Sequence, residues 1–211
     1  MVSKVSYRPF DETDFDELAA IMQLHWHARS ANDAYNYLEA CDDLAYCLST
    51  STFSQVARID DTPCGIVLAR AGAVDGNWER RWLDASSDFM EQMRAIDPDA
   101  QRRYRDFIEA SVRVNEDMIG RAGINTDSEI TLLAVASTAQ HLGIGSVLLD
   151  AASSYVASCG FTETYLCTDT DCTWKFYEQR GLKRIATHRA TREERHLLPR
   201  EMYLYSLDLS S

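Results

Sequence analysis

The sequence is poor in positive charge and has no long apolar segment. Its 211 residues include 21 lysines and arginines against 33 aspartates and glutamates, which gives a formal net charge of −12. This balance argues against a nucleic-acid partner, because a surface that follows phosphates needs clustered basic residues. An acidic surface does little to repel a cationic substrate, so the composition favours an amine as the ligand.

Membrane association and export are also not expected. No apolar run approaches the roughly 20 residues that cross a bilayer, and residues 1–10 lack the apolar core of a secretory signal. Four prolines and nine glycines are too few for a collagen-like or low-complexity chain. With 45% hydrophobic and 26% charged residues, the composition is typical of a globular protein.

The six cysteines contain no C-x-x-C pair, and a chain of this length needs no disulfides to hold its core. We expect reduced, mostly buried thiols and therefore a cytoplasmic protein. Zinc bound by Cys167, Cys172 and a histidine is an alternative. Because the C-x4-C spacing has no matching second pair, we expect no metal.

The hydrophobic patterns predict one domain of mixed α/β class over residues 1–211. The predicted order is a strand, two helices, a β-hairpin, two helices, a strand, a helix, a strand, a short helix and two closing strands. The approximate ranges are 5–8, 15–24, 32–48, 54–59 with 65–71 around a turn at 60–63, two helices within 76–123, 129–136, 144–155, 162–168, 173–180, 182–188 and 202–209.

Residues 76–123 place two amphipathic helices between predicted strands. Trp78, Trp82 and Phe89 share one face of the first helix, and their simplest interpretation is a core between the two helices. Asp97 and Pro98 supply an N-cap and a first-turn proline for the second helix. We therefore predict an inserted helical hairpin.

The segment from Val135 to Ser146 carries the clearest chemical signal, because it joins a buried strand to an amphipathic helix. Its glycines permit a tight turn and close approach of a ligand, while the first amides of the helix lack partners. Such a turn binds phosphate or pyrophosphate. A dinucleotide fingerprint would need glycine where Leu148 stands, and no Gly-Lys-Ser/Thr is present for a nucleoside triphosphate.

Gln140-x-x-Gly143-x-Gly145 resembles the acyl-CoA pyrophosphate loop of the GNAT N-acetyltransferase superfamily, in which Gln or Arg is followed by two residues, Gly, one residue and Gly or Ala. Phe176-Tyr177-x-x-x-Gly181-Leu182 is similar to the family's second signature. The resemblance implies a GNAT-like fold: a central, mixed, mostly antiparallel twisted sheet flanked by helices. The helical hairpin departs from the pattern, since in the family the β-hairpin normally runs almost directly into the signature strand.

The resemblance implies acetyl-CoA as co-substrate and direct transfer of its acetyl group to a primary amine of a small molecule or peptide. Two splayed strands would hold pantetheine along the backbone of Leu133, Ala134 and Val135, with an N–H near Leu133 or Ala134 as oxyanion donor. The pyrophosphate would bind the loop residues Gln140, His141, Leu142, Gly143, Ile144, Gly145 and Ser146. Thr170 stands where many family members have a CoA-contacting asparagine, so it is a candidate cofactor-binding residue whose hydroxyl could hydrogen-bond the pantetheine arm. Helix capping is its simpler role.

The resemblance also implies two catalytic residues. Tyr177 matches the tyrosine that many family members use as general acid, although it could simply pack beside Trp174. Glu129 matches the catalytic base of the histone acetyltransferase branch, although it could be a solvated carboxylate. Strand parity places Glu129 on the same face as Thr131, Leu133 and Val135 unless a bulge intervenes. Leu133 would then lie roughly 13 Å away, so proton transfer would run through water.

Two further questions stay open at this stage. His25 and His27 flank Trp26 in a region that borders the acceptor cleft in the family, and a surface or packing role is the simpler interpretation. A non-catalytic CoA-binding sensor or protein-interaction module is the alternative to an enzyme. The resemblance also implies a homodimer, since members of the family commonly form dimers.

Overall fold

The computed structural model describes residues 4–28 and 30–210, and its elements follow the predicted order. The strands are β1 (Val5–Arg8), β2 (Phe53–Ile59), β3 (Thr62–Ala71), β4 (Ser128–Val135), β5 (Glu163–Asp169), β6 (Lys183–Arg189) and β7 (Glu201–Asp208). The helices are α1 (Phe15–Trp26), α2 (Asp33–Ser49), α3 (Gly76–Ile96), α4 (Pro98–Ala122), α5 (Ile144–Ser158) and α6 (Lys175–Gln179).

Seven strands form one sheet in the order β1-β2-β3-β4-β5-β7-β6. All neighbours run antiparallel except β4 and β5, which are parallel. In the described part of the chain, these two strands pair at Glu129 and Tyr165 alone. The sheet is therefore mixed and mostly antiparallel, as predicted, and β4 and β5 separate toward their carboxyl ends.

Both faces of the central strands are buried, because helices cover each side. Ile66 and Leu68 of β3 face α1 and α2, whereas Val67 and Ala69 face α5. This alternation explains why β3 is apolar at nearly every position rather than at every second one. Apolar burial on this scale is the main contribution that holds the sheet between its helices.

The inserted helices pack against the rest of the protein, so the predicted core between them is wrong. Trp82 stacks on Phe15 of α1 with ring centroids 5.3 Å apart, and Phe89 stacks on the same ring at 5.9 Å. The indole N–H of Trp78 donates to the carbonyl oxygen of Leu48 at 2.8 Å. Helix α4 instead buries residues such as Met118 against β5 and β7. Within the described ranges, the two helices share only a cluster near their junction, in which Met93 of α3 meets Ala100 and Tyr104 of α4 beside α2.

The junction between α3 and α4 is capped as predicted. A carboxylate oxygen of Asp97 accepts hydrogen bonds from the backbone N–H groups of Asp99 and Ala100 at 3.1 and 2.9 Å. Pro98 occupies the first turn, where its missing N–H would have no partner in any case. These two features fix where α4 begins and therefore where its first turns lie.

The turn of the β-hairpin is shorter than predicted. Asp60 and Asp61 adopt φ values of 47° and 66° and form the whole connection. Thr62 and Pro63 belong to β3, and a bulge at Cys64 absorbs the irregularity. Two-residue hairpin turns need positive φ at both central positions, which Asp adopts more readily than most residues.

Among the described residues, no helix combines the length and apolar character that a membrane span requires. All six cysteines are free, with Cys41, Cys47 and Cys64 buried and Cys159 exposed.

Candidate active site

A cavity of 740 Å³ opens where β4 and β5 diverge. Its walls come from both strands, from one face of α2, from the start of α4 and from Tyr177. The cavity therefore joins the gap in the sheet to a space that the inserted helices help to enclose. A volume of this size accommodates a small molecule.

A β-bulge in β4 corrects the predicted strand parity. Leu132 pairs with Leu68 and Ile130 pairs with Ala69, so Thr131 is an extra residue in β4. Beyond the bulge, side chains change faces: Leu132 packs toward α1 and α2, whereas Ile130 and Leu133 pack toward α5. Glu129 lies on the α2 face, beside Arg70, and does not share a face with Leu133 and Val135.

The backbone of β4 offers polar groups to the gap at alternate residues. Ala136 N–H donates to Cys64 at 2.8 Å, and the Ala134 carbonyl oxygen faces Gly65, where an added Cβ would approach it to 2.9 Å. Both groups therefore point to β3, and those of Leu133 and Val135 point into the gap. The Val135 carbonyl oxygen already accepts a hydrogen bond from the ring Nε2 of His25 at 2.9 Å.

The loop between β4 and α5 presents a row of unpaired amides. Within the described part of the chain, the backbone N–H groups of residues 141–145 donate to no acceptor. His141 and Gly143 adopt φ values of 66° and 79°, which turn these amides outward. The Ser146 amide is used inside the loop, because it donates to the Gly143 carbonyl at 3.1 Å. Such a concave row at the N-terminus of a helix binds anions.

The two sequence motifs are in contact. An added Cβ at Gly145 would lie 3.5 Å from the ring of Phe176. Glycine at this position thus lets the start of α5 pack closely on α6. As a result, the loop lies close to Tyr177, which follows Phe176. Gly181 ends α6 with φ of 87°.

Tyr177 lines the cavity as part of α6. Burial, together with the neighbouring acidic groups of Cys172 and Asp169, raises the pKa of its phenol above the ordinary value. The hydroxyl therefore keeps its proton at neutral pH and can donate it. The ring of Tyr177 has Phe176 at 5.4 Å and Tyr205 at 6.0 Å as neighbours, and Tyr177 packs on the same core cluster as Trp174.

Glu129 lies at the closed end of the gap, where β4 and β5 still pair. Its Oε2 accepts hydrogen bonds from Arg70 Nη2 at 2.7 Å and from the Tyr165 hydroxyl at 3.1 Å. The described residues that line the cavity include Ile130 but not Glu129. Its carboxylate is thus engaged in an ion pair outside the cavity lining, although its charge acts on Cys47 and Cys167, which line the cavity.

Thr170 neither caps a helix nor lines the cavity. Its N–H donates to the Glu201 carbonyl at 3.0 Å, and its hydroxyl accepts from the Glu201 N–H at 3.4 Å. Helix α6 begins at Lys175 without a side-chain cap. The predicted capping role is therefore wrong: Thr170 ties the end of β5 to the start of β7.

The sequence matches the family described as acetyltransferase (GNAT) over residues 74–182, which is more than half of the chain. The protein belongs to the GNAT family. It is an acyltransferase by this membership, and the family uses acetyl-CoA. Among curated proteins, none matches the sequence.

Solved structures share the GNAT fold at low sequence identity. A Desulfovibrio desulfuricans protein assigned to the GNAT family has a TM-score of 0.56 and 15% identity, over 98% of this chain and 99% of that one. The Escherichia coli ribosomal-protein-S18-alanine N-acetyltransferase has a TM-score of 0.54 and 11% identity, over 99% and 96%. The yncA protein of Salmonella typhimurium, solved with its cofactor acetyl-CoA, has a TM-score of 0.52 and 12% identity, over 97% and 94%.

His27 lies in the wall of the GNAT cavity, in the region that the resemblance placed at the acceptor cleft, but as a buried cation rather than in the surface or packing role that was the simpler interpretation. Its Nδ1 lies 3.5 Å from Glu39 Oε2, and its Nε2 lies 3.1 Å from Asp43 Oδ2. Burial disfavours the charged form of His27, but the hydrogen bonds to Asp43 and Glu39 outweigh this effect and raise the pKa of His27 to about 9. The sequence carried one signal of this wall of the cavity. Polar residues and one cysteine recur every four positions on α2: Tyr35, Glu39, Asp43 and Cys47.

Cys167 and Cys172 also line the cavity. Burial raises the pKa of both thiols to about 12. The charge of Glu129 adds to the effect on Cys167, and that of Asp169 adds to the effect on Cys172. Both thiols are therefore neutral at physiological pH. Among the residues that the structure describes, no three His, Cys, Asp or Glu side chains are grouped to hold a metal.

Proposed function

We propose that this GNAT protein transfers an acetyl group from acetyl-CoA directly to a primary amine of a small molecule or peptide. One observation carries the proposal: a single cavity connects the gap between β4 and β5 with Tyr177 and with carboxylates on α2. A thioester in the gap and an amine among the carboxylates would thus meet beside a proton donor.

The donor would bind through the backbone. Pantetheine would pair with Leu133 and with the Val135 N–H, and the diphosphate would bind the unpaired amides of residues 141–145. Two residues that the resemblance implied as CoA contacts are left out of this proposal. The carbonyl oxygen of Ala134 faces β3, and the hydroxyl of Thr170 accepts a hydrogen bond from the Glu201 N–H. The Leu133 N–H would stabilise the oxyanion of the tetrahedral intermediate.

The acceptor arrives as an ammonium ion and must lose a proton before it attacks. The neutral nitrogen then attacks the thioester carbonyl carbon, a C–N bond forms, and the C–S bond breaks. Tyr177 donates its proton to the departing sulfur, which leaves as the CoA thiol. The second proton of the nitrogen passes to water, from which Tyr177 regains its own.

Two carboxylates are candidates for the first proton transfer. Glu129 has the position that the resemblance implies, but its ion pair with Arg70 lies at the closed end of the gap. Asp43 lines the cavity, and the thiol of Cys47 lies 3.8 Å from both Asp43 Oδ1 and the Thr131 carbonyl oxygen. Asp43 is paired as well, with the His27 imidazolium, so the ion pairs do not separate the two candidates. Because Asp43 lines the cavity, the geometry supports it better, with water as the carrier.

The proposal also includes a cytoplasmic location, which the free state of all six cysteines supports.

Thiol release tests the proposed function. The protein is mixed with acetyl-CoA and a panel of primary amines, and free CoA thiol is followed with time. We expect release that depends on the amine and is slowed about 100-fold or more in Tyr177→Phe. Binding of acetyl-CoA without thiol release for any amine would support the alternative of a non-catalytic sensor.

A further inference from the structure

Four residues of α2 form a line along the cavity, and the two ends of this line differ in role. Tyr35, Glu39, Asp43 and Cys47 are spaced by four residues and all line the cavity. Cys47 lies next to β4, where it reaches the Thr131 carbonyl oxygen. At 1.5 Å per residue, Glu39 lies about 6 Å and Tyr35 about 12 Å beyond Asp43 along the helix axis.

The charge of this cavity favours a cation beyond the reacting amine. Five carboxylates line it, against Arg103 and two histidines. His27 matches only part of this negative charge, because it is one cation between Glu39 and Asp43. Glu39 is buried, so a ligand charge beside it would be weakly screened by solvent.

An unsatisfied polar atom marks the far end of the line. The side chain of Tyr35 is buried, with 1% exposed, and its hydroxyl has no hydrogen-bond partner among the described residues. Burial raises the pKa of this phenol most, and Glu39 raises it further, both by its charge and as a nearby hydrogen-bond acceptor. Buried hydroxyls nearly always have partners, and a phenol both donates and accepts. With a carboxylate beside it, the Tyr35 hydroxyl is suited to donate toward Glu39 and to accept from the N–H group of a ligand.

The inserted hairpin encloses this end of the cavity. Asp97 and Arg103 contribute to its lining from the first turns of α4. The Tyr104 hydroxyl donates to Asp42 Oδ2 at 3.0 Å, and its ring meets the His27 ring edge-on at 6.3 Å. Helix α4 is thereby fixed against α2, and the insertion shapes the part of the cavity farthest from β4.

We propose that the acceptor is an aliphatic diamine, one amine of which is acetylated near Asp43 while the second ammonium binds Glu39 and the Tyr35 hydroxyl. This inference rests on the proposed function and names its substrate class. Four or five carbons between the nitrogens span about the 6 Å that separates Asp43 from Glu39 along α2.

Matched amines test the inference. We would compare kcat/KM for 1,4-diaminobutane and 1,5-diaminopentane with butylamine and pentylamine, using thiol release. We expect the diamines to be preferred about tenfold or more, as for a charge-assisted hydrogen bond in a buried site. Equal values for diamines and monoamines, or a preference for amines that carry a carboxylate, would overturn the inference and leave acetyl transfer standing.

Two variants and a control locate the second ammonium. In Tyr35→Phe and Glu39→Gln, we expect the ratio of diamine to monoamine kcat/KM to fall toward one. Tyr37→Phe is the control, since Tyr37 lies on α2 outside the cavity lining and donates to Asp16 at 2.9 Å. A ratio that stays high in Tyr35→Phe, which keeps the ring and its packing, would contradict the assignment. No thiol release with any amine would instead refute the proposed function itself.

Discussion

The buried imidazolium of His27 makes stability depend on pH in a defined direction. Its pKa is raised from 6.5 to about 9 because, despite burial, its partners Asp43 and Glu39 favour the charged form. A group with a raised pKa in the folded state contributes stability that is fully present below the unfolded pKa, here 6.5. This contribution is lost as pH rises through 9.

The size of the effect follows from the pKa difference. At about 1.4 kcal/mol per pH unit, the charged His27 contributes about 3 kcal/mol at most, and about 2 kcal/mol of this is lost between pH 6 and pH 8. Burial raises the pKa of Asp42 to about 6, so Asp42 also makes the protein less stable as pH rises. Most of this change is complete below pH 8. Comparison with a variant separates His27 from this background.

Urea unfolding of wild type and His27→Gln at pH 6, 7 and 8 measures the contribution. We expect the variant to be less stable at pH 6 by up to about 3 kcal/mol, with a difference that narrows as pH rises. The exposed His196 provides the control, since His196→Gln should follow the wild-type profile. Parallel profiles for wild type and His27→Gln would refute the buried ion cluster.

Three further predictions concern the site. Tyr177→Phe should lower kcat about 100-fold while CoA affinity in calorimetry stays within about twofold, and a loss of affinity instead would contradict the role as acid. Gly143→Ala places a side chain at φ of 79° and should cost about 1–2 kcal/mol in stability and weaken CoA binding; Gly72→Ala, at φ of 78°, should show the first effect without the second. Asp43→Asn should lower kcat and flatten its pH profile more than Glu129→Gln does, and the reverse order would return the base role to Glu129.

Much of the fold could be predicted from sequence because its signals are local. The cap at Asp97 and Pro98, the apolar run of β4 and the glycines of the loop each act within a few residues. The GNAT motifs are local in the same sense, since one turn binds the diphosphate and one short helix presents Tyr177.

What could not be predicted depends on contacts between distant segments. The bulge at Thr131 exists only in the pairing of β4 with β3, and it moves Glu129 to the face opposite Leu133. The burial of His27 depends on how α1 packs against α2 and on the cover that Tyr104 provides from the insertion. No periodicity within either segment carries this information.

A crystal structure of the complex with acetyl-CoA tests the central claim most directly. We predict the diphosphate within hydrogen-bond distance of the amides of residues 141–145, pantetheine between β4 and β5, and the thioester oxygen beside the Leu133 N–H. Acetyl-CoA bound elsewhere, with the gap between the strands empty, would contradict the account.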